Sequence, residues 1–287
     1  MLKLSHVTFA AALAAATALA SSPASAGGNI FLTGHDTDYH GYFGSTSAQT
    51  AMTADVNFVR NGSALPLLVF DSGSELADLL TSLGIPNVVV SPSNPFLDSV
   101  FDPATYSAFA VASNTSCGGC DLTDSDDANI ASHISAISAF FNAGGGILGL
   151  AAGGNPDGYA YVPEAAANAG GFPPSDGFVE TAAGTAAGLV AENGDPTHNY
   201  FPTPGTSGLS SAYQVAETNS GNVESVFLKN GSISCAGATG DSCVITSGVP
   251  EPSTWAMMLL GFGFVAGALR TAKRGRKLLR HSALATT

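Results

Sequence analysis

Gly144-Gly-Gly-Ile-Leu-Gly-Leu-Ala-Ala152 follows a stretch, Thr123 to Asn142, that has the sequence features of a helix. The opening turn of that stretch is acidic, which suits the positive end of a helix dipole, and the three glycines end the helix. The apolar run after them is short and uninterrupted, as in a strand that is buried on both faces. The pattern predicts a helix that leads into a buried strand of a parallel sheet.

The same alternation of apolar runs and helical stretches extends back towards the N-terminus. Strands are predicted at Asn29–Gly34, Leu65–Phe70, Asn87–Val90 and Tyr106–Ala112, and helices at Ser45–Arg60 (capped by Ser45 or Ser47) and Ser74–Leu83. Strands that alternate with helices form parallel sheets covered by helices. The predicted fold class is therefore α/β, with a mainly parallel sheet flanked by helices, as in flavodoxin-like proteins.

The last third of the body has a different pattern. Glycine and proline interrupt Asn155 to Pro174, and short strands are expected between Tyr213 and Val244. Those strands would turn at Asn219-Ser-Gly221 and at Asn230-Gly231, the latter a favoured hairpin sequence. We expect one α/β domain, residues 27–248, whose C-terminal third is rich in β-strands.

The order of elements over residues 29–154 resembles the class I glutamine amidotransferase-like fold. That resemblance implies a reactive cysteine in a Gly-x-Cys-x-Gly turn after the fifth strand, on a strained strand-to-helix elbow. The corresponding stretch here is Gly149-Leu-Ala-Ala-Gly153, so Ala151 occupies the position of the nucleophile. Since alanine cannot attack a carbonyl, the sequence predicts that the usual amidotransferase or hydrolase chemistry is lost.

Charge is distributed very unevenly along the 287 residues. Residues 27–249 contain 21 carboxylates and two cations, Arg60 and Lys229, and so carry a net charge of −19. The other cations lie at the two ends of the chain. Because a body this acidic repels phosphate backbones, we expect no nucleic-acid partner.

Both ends of the chain have the features of sorting signals. Residues 1–26 combine Lys3, an apolar run and the small-residue site Ala24-Ser-Ala26. They predict a signal peptide that the Sec machinery recognises and signal peptidase removes. Near the other end, an apolar segment from Trp255 to Leu269 precedes a basic cluster, which predicts a transmembrane helix with its C-terminal end in the cytoplasm.

Pro250-Glu251-Pro252, the apolar segment headed by Trp255 and the basic cluster together resemble the PEP-CTERM sorting signal, here residues 249–277, with 278–287 as a further tail. The resemblance implies a Gram-negative source that makes extracellular polysaccharide, and an exosortase that removes the signal. The expected route is export, an inner-membrane intermediate, and then the cell surface or an exopolysaccharide matrix, with exopolysaccharide as a candidate partner. An ordinary C-terminal membrane anchor is the alternative.

The body contains four cysteines: Cys117, Cys120, Cys235 and Cys243. Disulfides persist outside the cytoplasm, and four cysteines allow three pairings. The simplest pairing is local, Cys117 with Cys120 and Cys235 with Cys243. A Cys-x-x-Cys sequence can also be a redox pair or half of a zinc site, so these alternatives stay open beside structural disulfides.

His35-Asp36-Thr-Asp38-Tyr-His40 follows the first predicted strand, at the sheet edge where open α/β sheets bind ligands. Its side chains can hold a divalent cation or form an acid-base pair, with Asp36, Asp38 and His40 as binding residues. His198 lies in a late loop that can reach the same edge. His35 and His198 are thus candidate catalytic residues, and a hydrogen-bonded polar loop is the alternative.

Two hypotheses on function follow from these patterns. The first is a non-enzymatic surface or matrix protein that carries an amidotransferase-like domain, and the alanine at position 151 favours it. The second is a metal-dependent or histidine-based hydrolase, or a carbohydrate-binding protein, that uses His35 to His40 together with His198. A divalent cation is the cofactor that the second hypothesis implies.

Overall fold

The computed structural model describes residues 27–115, 120–169, 175–194, 196–236 and 243–248, which lie within one compact unit, Ser25–Gly248. The described α-helices are α1 (Thr37–Tyr42), α2 (Thr46–Arg60), α3 (Glu75–Ser82), α4 (Asp124–Ala131), α5 (Ile134–Asn142) and α6 (Ala182–Ala187). A 3₁₀ helix covers Asp98–Val100. The strands are β1 (Ile30–Thr33), β2 (Leu67–Phe70), β3 (Asn87–Val90), β4 (Ala108–Val111), β5 (Gly146–Gly149), β6 (Asn168–Ala169), β7 (Phe178–Glu180), β8 (Asn199–Tyr200), β9 (Gln214–Asn219), β10 (Asn222–Leu228), β11 (Ser232–Cys235) and β12 (Cys243–Thr246).

Eight strands form one sheet in the order β3-β2-β4-β5-β1-β10-β9-β7. Neighbours among the first five of these strands are parallel. Strands β10, β9 and β7 extend the sheet through antiparallel pairs. The prediction of a mixed α/β fold with a large, mainly parallel sheet is confirmed, and β1 lies at the seam between the parallel and antiparallel parts.

The position of β1 differs from that of the first strand in flavodoxin-like sheets. The order β3-β2-β4-β5 matches the relative order 2-1-3-4 of the first four strands of such sheets. Here β1 lies beyond β5, in the place that the fifth strand takes there. The segments that follow β1 and β5 therefore leave the sheet side by side, because parallel neighbours end at the same edge.

The apolar runs of the sequence form the core of the sheet. All four residues of β1, of β2, of β4 and of β5 are buried, as their uninterrupted apolar runs predict. Strand β3 is an edge strand and is partly exposed. Helix α2 packs on β1 and β5, and it buries Ala48, Met52, Val56 and Val59, which recur at helical spacing.

Helix α2 begins where the sequence predicts, after Ser45, whose side chain accepts a hydrogen bond from the amide of Ala48. The prediction of one helix from Thr123 to Asn142 is wrong, since α4 ends at Ala131 and α5 begins at Ile134. His133 lies at the break, where its ring stacks on Phe96 with a centroid distance of 4.3 Å and its Nδ1 contacts Asp98. Tertiary contacts of this one side chain therefore override the helical pattern.

One of the two predicted hairpin turns is present among the described residues. Strands β9 and β10 turn through Ser220 and Gly221, whose φ angles are 50° and 90°. The hairpin predicted at Asn230-Gly231 is wrong, because β10 pairs with β1 and β9 while β11 pairs with β12 in a separate two-stranded sheet. The amide of Asn230 instead donates to the Asn29 side chain, so this turn fastens to the start of β1.

A disulfide joins Cys235 of β11 to Cys243 of β12, as the local pairing predicts. Cys120 is also disulfide-bonded, and its predicted partner, Cys117, lies outside the described residues. Over the described ranges, no helix has the length and apolar character needed to cross a membrane. The predicted signal peptide and the transmembrane helix from Trp255 to Leu269 fall outside those ranges.

Candidate functional site

The predicted site segment His35 to His40 is largely helical, because α1 begins at Thr37 with Asp36 as its N-cap residue. The Asp36 side chain makes no capping hydrogen bond to α1. It contacts two histidines instead: its Oδ1 lies 3.0 Å from Nε2 of His198 and 3.5 Å from Nε2 of His40. The structure thus brings three of the five predicted site residues together around one carboxylate oxygen.

Backbone pairing brings His198 to this position. The His198 amide donates to the Gly34 carbonyl at 2.8 Å, and Thr197 forms an antiparallel bridge with His35. A Cβ at Gly34 would overlap the carbonyl oxygen of Asn199, so only glycine allows this close approach. Because Gly34 has no side chain, the loop that carries His198 can approach the end of β1 closely enough to pair with it.

Asp38 lies near Asp36 but bonds to a different part of the fold. Its two carboxylate oxygens accept hydrogen bonds from the Ser113 hydroxyl at 2.6 Å and the Ser113 amide at 2.8 Å. Burial raises the pKa of Asp38 to about 7, although both hydrogen bonds act to lower it. Asp38 therefore ties α1 to the end of β4.

His35 points away from Asp36 into a separate group of carboxylates. Its Nε2 lies 3.3 Å from Glu217 of β9 and 3.6 Å from Glu224 of β10. Burial alone would lower the pKa of His35, but the hydrogen bond to Glu217 and the negative charges of Glu224 and Glu192 raise it to about 10. His35 therefore carries a positive charge in the interior at neutral pH.

These carboxylates come from the antiparallel half of the sheet. Glu224 is fully buried, and the register between β9 and β10 shifts beside it, between Val223 and Ser225. A shift of this kind changes the direction in which a strand side chain points. Ser225 then donates to Glu217 at 3.2 Å, and Thr37 donates to Glu192 at 2.7 Å.

Two more carboxylates complete the group, which we call the His35 cluster: His35, Asp55, Glu180, Glu192, Glu217 and Glu224. Burial, and then the charge of Glu217, raise the pKa of Asp55 well above its usual value and that of Glu180 to about 8. None of these five carboxylates was among the site residues predicted from the sequence. Glu217 and Glu224 occupy strand positions in otherwise apolar or hydroxyl-bearing runs, and that is the signal that could have identified them.

The predicted site residues are mostly inaccessible to a substrate. The exposed fraction is 7% for His198 and 2% or less for His35, Asp36 and Asp38. Only His40 is partly exposed, with 31% of its side chain accessible. Within the described part of the chain, no three His, Cys, Asp or Glu side chains are arranged to hold a metal ion. The geometry is that of an internal polar network rather than an open catalytic cleft.

The stretch around Ala151 does not form a strand-to-helix elbow. After β5 the chain continues as turns, and the next described helix is α6 at Ala182. The Ala151 amide donates to the His35 carbonyl, and its own carbonyl accepts from the Asn114 amide. The expectation of an elbow at this position is therefore wrong, and Ala151 is a buried residue that joins β5 to the ends of β1 and β4.

Comparison with known proteins identifies one part of the chain. Residues 248–274 match the model of the PEP-CTERM protein-sorting motif. No curated protein and no solved structure matches the chain. The matched motif indicates an exported protein that is anchored in the membrane and then processed by an exosortase for the cell surface.

The stability of the body should depend on pH. Burial raises the pKa of Asp127, like that of Asp38, to about 7. The pKa of His35 is raised to about 10 and that of Glu180 to about 8. The folded state therefore holds protons that the unfolded chain releases, so stability falls as the pH rises from about 4 through about 10. We expect a Tm at least about 4 °C lower at pH 9 than at pH 5, measured by calorimetry. An equal or higher Tm at pH 9 would contradict this.

Replacement of His35 should strongly destabilise the body. His35→Gln keeps a polar side chain of similar size but leaves the carboxylates of the His35 cluster without their cation. We expect urea unfolding to show a loss of at least about 3 kcal/mol, because one partner of a buried ion pair is removed. The comparison variant is His133→Gln, which removes a histidine whose partner carboxylate, Asp98, is 72% exposed, so that the loss should be smaller than that of His35→Gln. Equal stability of His35→Gln and the natural protein would refute the role of His35.

Proposed function

We propose that the chain is an exported, exosortase-processed protein whose body acts without catalysis at the cell surface or in an exopolysaccharide matrix. The observation that carries the proposal is the match of residues 248–274 to the PEP-CTERM motif. The partners proposed for its route are the Sec machinery, signal peptidase, the membrane and an exosortase.

The position of the motif supports removal of the tail from an intact body. The compact unit ends at Gly248, where the matched residues begin. The last described strand, β12, ends at Thr246 and is held by the disulfide between Cys235 and Cys243. Cleavage near the motif would therefore remove the tail without cutting into the sheet.

The burial of the predicted site residues supports a body without catalytic activity. Asp36 and His198 are paired at 3.0 Å, but their side chains are 3% and 5% exposed. A catalytic base must reach the proton that it removes from a substrate. Ala151 also lacks any group that could act as a nucleophile. Catalysis would depend on the Asp36–His198 pair or on a nucleophile at position 151. The pair is buried in the fold, and so is Ala151.

The second candidate is a histidine-based hydrolase that uses Asp36, His40 and His198. One observation favours it, namely that both histidines lie within 3.5 Å of the same Asp36 oxygen. Hydrolysis of an amide, ester or glycoside by the purified protein, lost in His198→Ala, would establish this alternative and refute the first proposal.

The amidotransferase-like character of the body is also part of the proposal. It is supported by the succession of β1 to β5 with helices between them, and by the order of β2 to β5 in the sheet. The place of β1 beyond β5, and the lack of a helix directly after β5, separate this body from the elbow geometry on which amidotransferase chemistry depends.

Processing of the tail tests the proposal directly. The full chain with a C-terminal epitope tag is expressed in a Gram-negative host that encodes an exosortase and in the same host without that gene. We expect loss of the tag, and a matching decrease in mass, only where the exosortase is present. Replacement of Pro250, Glu251 and Pro252 by alanine should preserve the tag in both hosts.

The matched control is Ser247→Ala, which lies just before the matched residues and should be processed like the natural chain. A tag that stays on the natural chain in the exosortase host would contradict the proposal. So would loss of the tag when the exosortase gene is deleted, since that result would indicate an unrelated protease.

A further inference from the structure

A groove of about 490 Å³ lies on the outer face of α2, away from the predicted site. Four α2 residues on its wall, Thr46, Thr50, Thr53 and Asn57, recur every three to four positions and so form one exposed stripe. Val190 lies on the opposite wall and is 39% exposed. None of the nine residues that line the groove is charged, although the body contains many more carboxylates than cations.

The hydroxyl groups of this groove are arranged to accept hydrogen bonds. The Thr50 hydroxyl donates to the Thr46 carbonyl at 2.7 Å, and the Thr53 hydroxyl donates to the Gln49 carbonyl at 2.8 Å. Each hydroxyl has a single proton, so both oxygens present only lone pairs to a partner. The groove therefore suits a partner that has several hydroxyl donors of its own.

An exposed aromatic pair lies in the chain shortly before α2. Tyr42 and Phe43 are 43% and 66% exposed, and their ring centroids are 5.0 Å apart. The Gln49 side chain, which lines the groove, donates to the Gly41 carbonyl beside this pair. Phe43 is separated from Thr46 by two residues. Exposed aromatic rings this close in the chain to the groove favour a binding surface, because their burial is favourable and no other part of the described chain covers most of the Phe43 ring.

We propose that this groove binds a neutral glycan chain. Sugar rings present hydroxyl donors along their edges and C–H groups on their faces, which match the Thr50 and Thr53 oxygens and the Phe43 ring respectively. An anionic polymer would be repelled by the body's net charge, and a cationic one would find no carboxylate in the groove. A protein partner would need deep apolar pockets for its side chains, and this groove is shallow and open to solvent.

The test measures binding of the full chain, purified in a detergent without a sugar headgroup, by native electrophoresis in gels that contain one polysaccharide each. The neutral polymers are dextran, laminarin and glucomannan, and the anionic polymer is alginate. We expect at least one neutral polymer to retard the protein and alginate to have no effect. Retardation by no neutral polymer, or equal retardation by alginate, would overturn the proposal.

Variants locate the binding surface. Phe43→Ala, and separately Thr50→Val with Thr53→Val, should weaken binding about threefold to tenfold or more, as expected for the loss of one or two favourable contacts. Leu97→Ala and Thr206→Val are the controls: Leu97 is 74% exposed, and the exposed Thr206 hydroxyl also donates to a backbone carbonyl. Unchanged binding by both groove variants would place the glycan elsewhere and refute the groove.

This inference rests on the proposed function only in treating the body as a binding module. Removal of the tail is read from the epitope tag and the mass, whereas glycan binding is read from retardation in the gel. A chain that is processed but not retarded would refute the groove alone. A chain that is retarded but never processed would refute the sorting proposal alone.

Discussion

The buried charge of His35 is the constraint on which the rest of this structure depends. His35 follows β1, the strand that is parallel to β5 on one side and antiparallel to β10 on the other. Its partners, Glu217 and Glu224, lie on β9 and β10. A cation at this point compensates carboxylates that would otherwise be too costly to bury. The parallel and antiparallel halves of the sheet are therefore held together by charge as well as by backbone pairing.

The residues that first suggest an active site lie beside this buried charge and are themselves mostly buried. Asp36, Asp38 and His198 are buried, and their contacts connect α1, the end of β4 and the loop that carries His198. In the proposed function, the body acts through its surface and the tail directs its delivery. We propose that the negative charge of the body disfavours polyanions, that the uncharged groove on α2 binds hydroxyl-rich partners, and that the PEP-CTERM motif directs delivery of the body.

Local patterns predicted the local structure well, and non-local contacts account for what they missed. Ser45 caps α2 because capping involves only residues three positions apart, and the apolar runs of β1, β2, β4 and β5 are buried as predicted. At the break, His133 contacts Phe96 and Asp98, which are more than 30 residues away in the chain and which a local pattern does not include. The approach of His198 to the end of β1, where Asp36 lies, was predicted from the sequence, but the contacts of His35 with Glu217 and Glu224 were not. The His35 cluster was missed because its members are spread from residue 35 to residue 224.

The protonation state of His35 is the measurement that tests this view of the fold most directly. In protein labelled with ¹⁵N-histidine, the His35 ring signals can be assigned by their absence in His35→Gln and followed from pH 5 to pH 11. A buried cation among carboxylates should keep both ring nitrogens protonated at pH 8 and titrate near pH 10. A neutral ring at pH 8, with a pKa below 7, would show that charge does not hold the two halves of the sheet together.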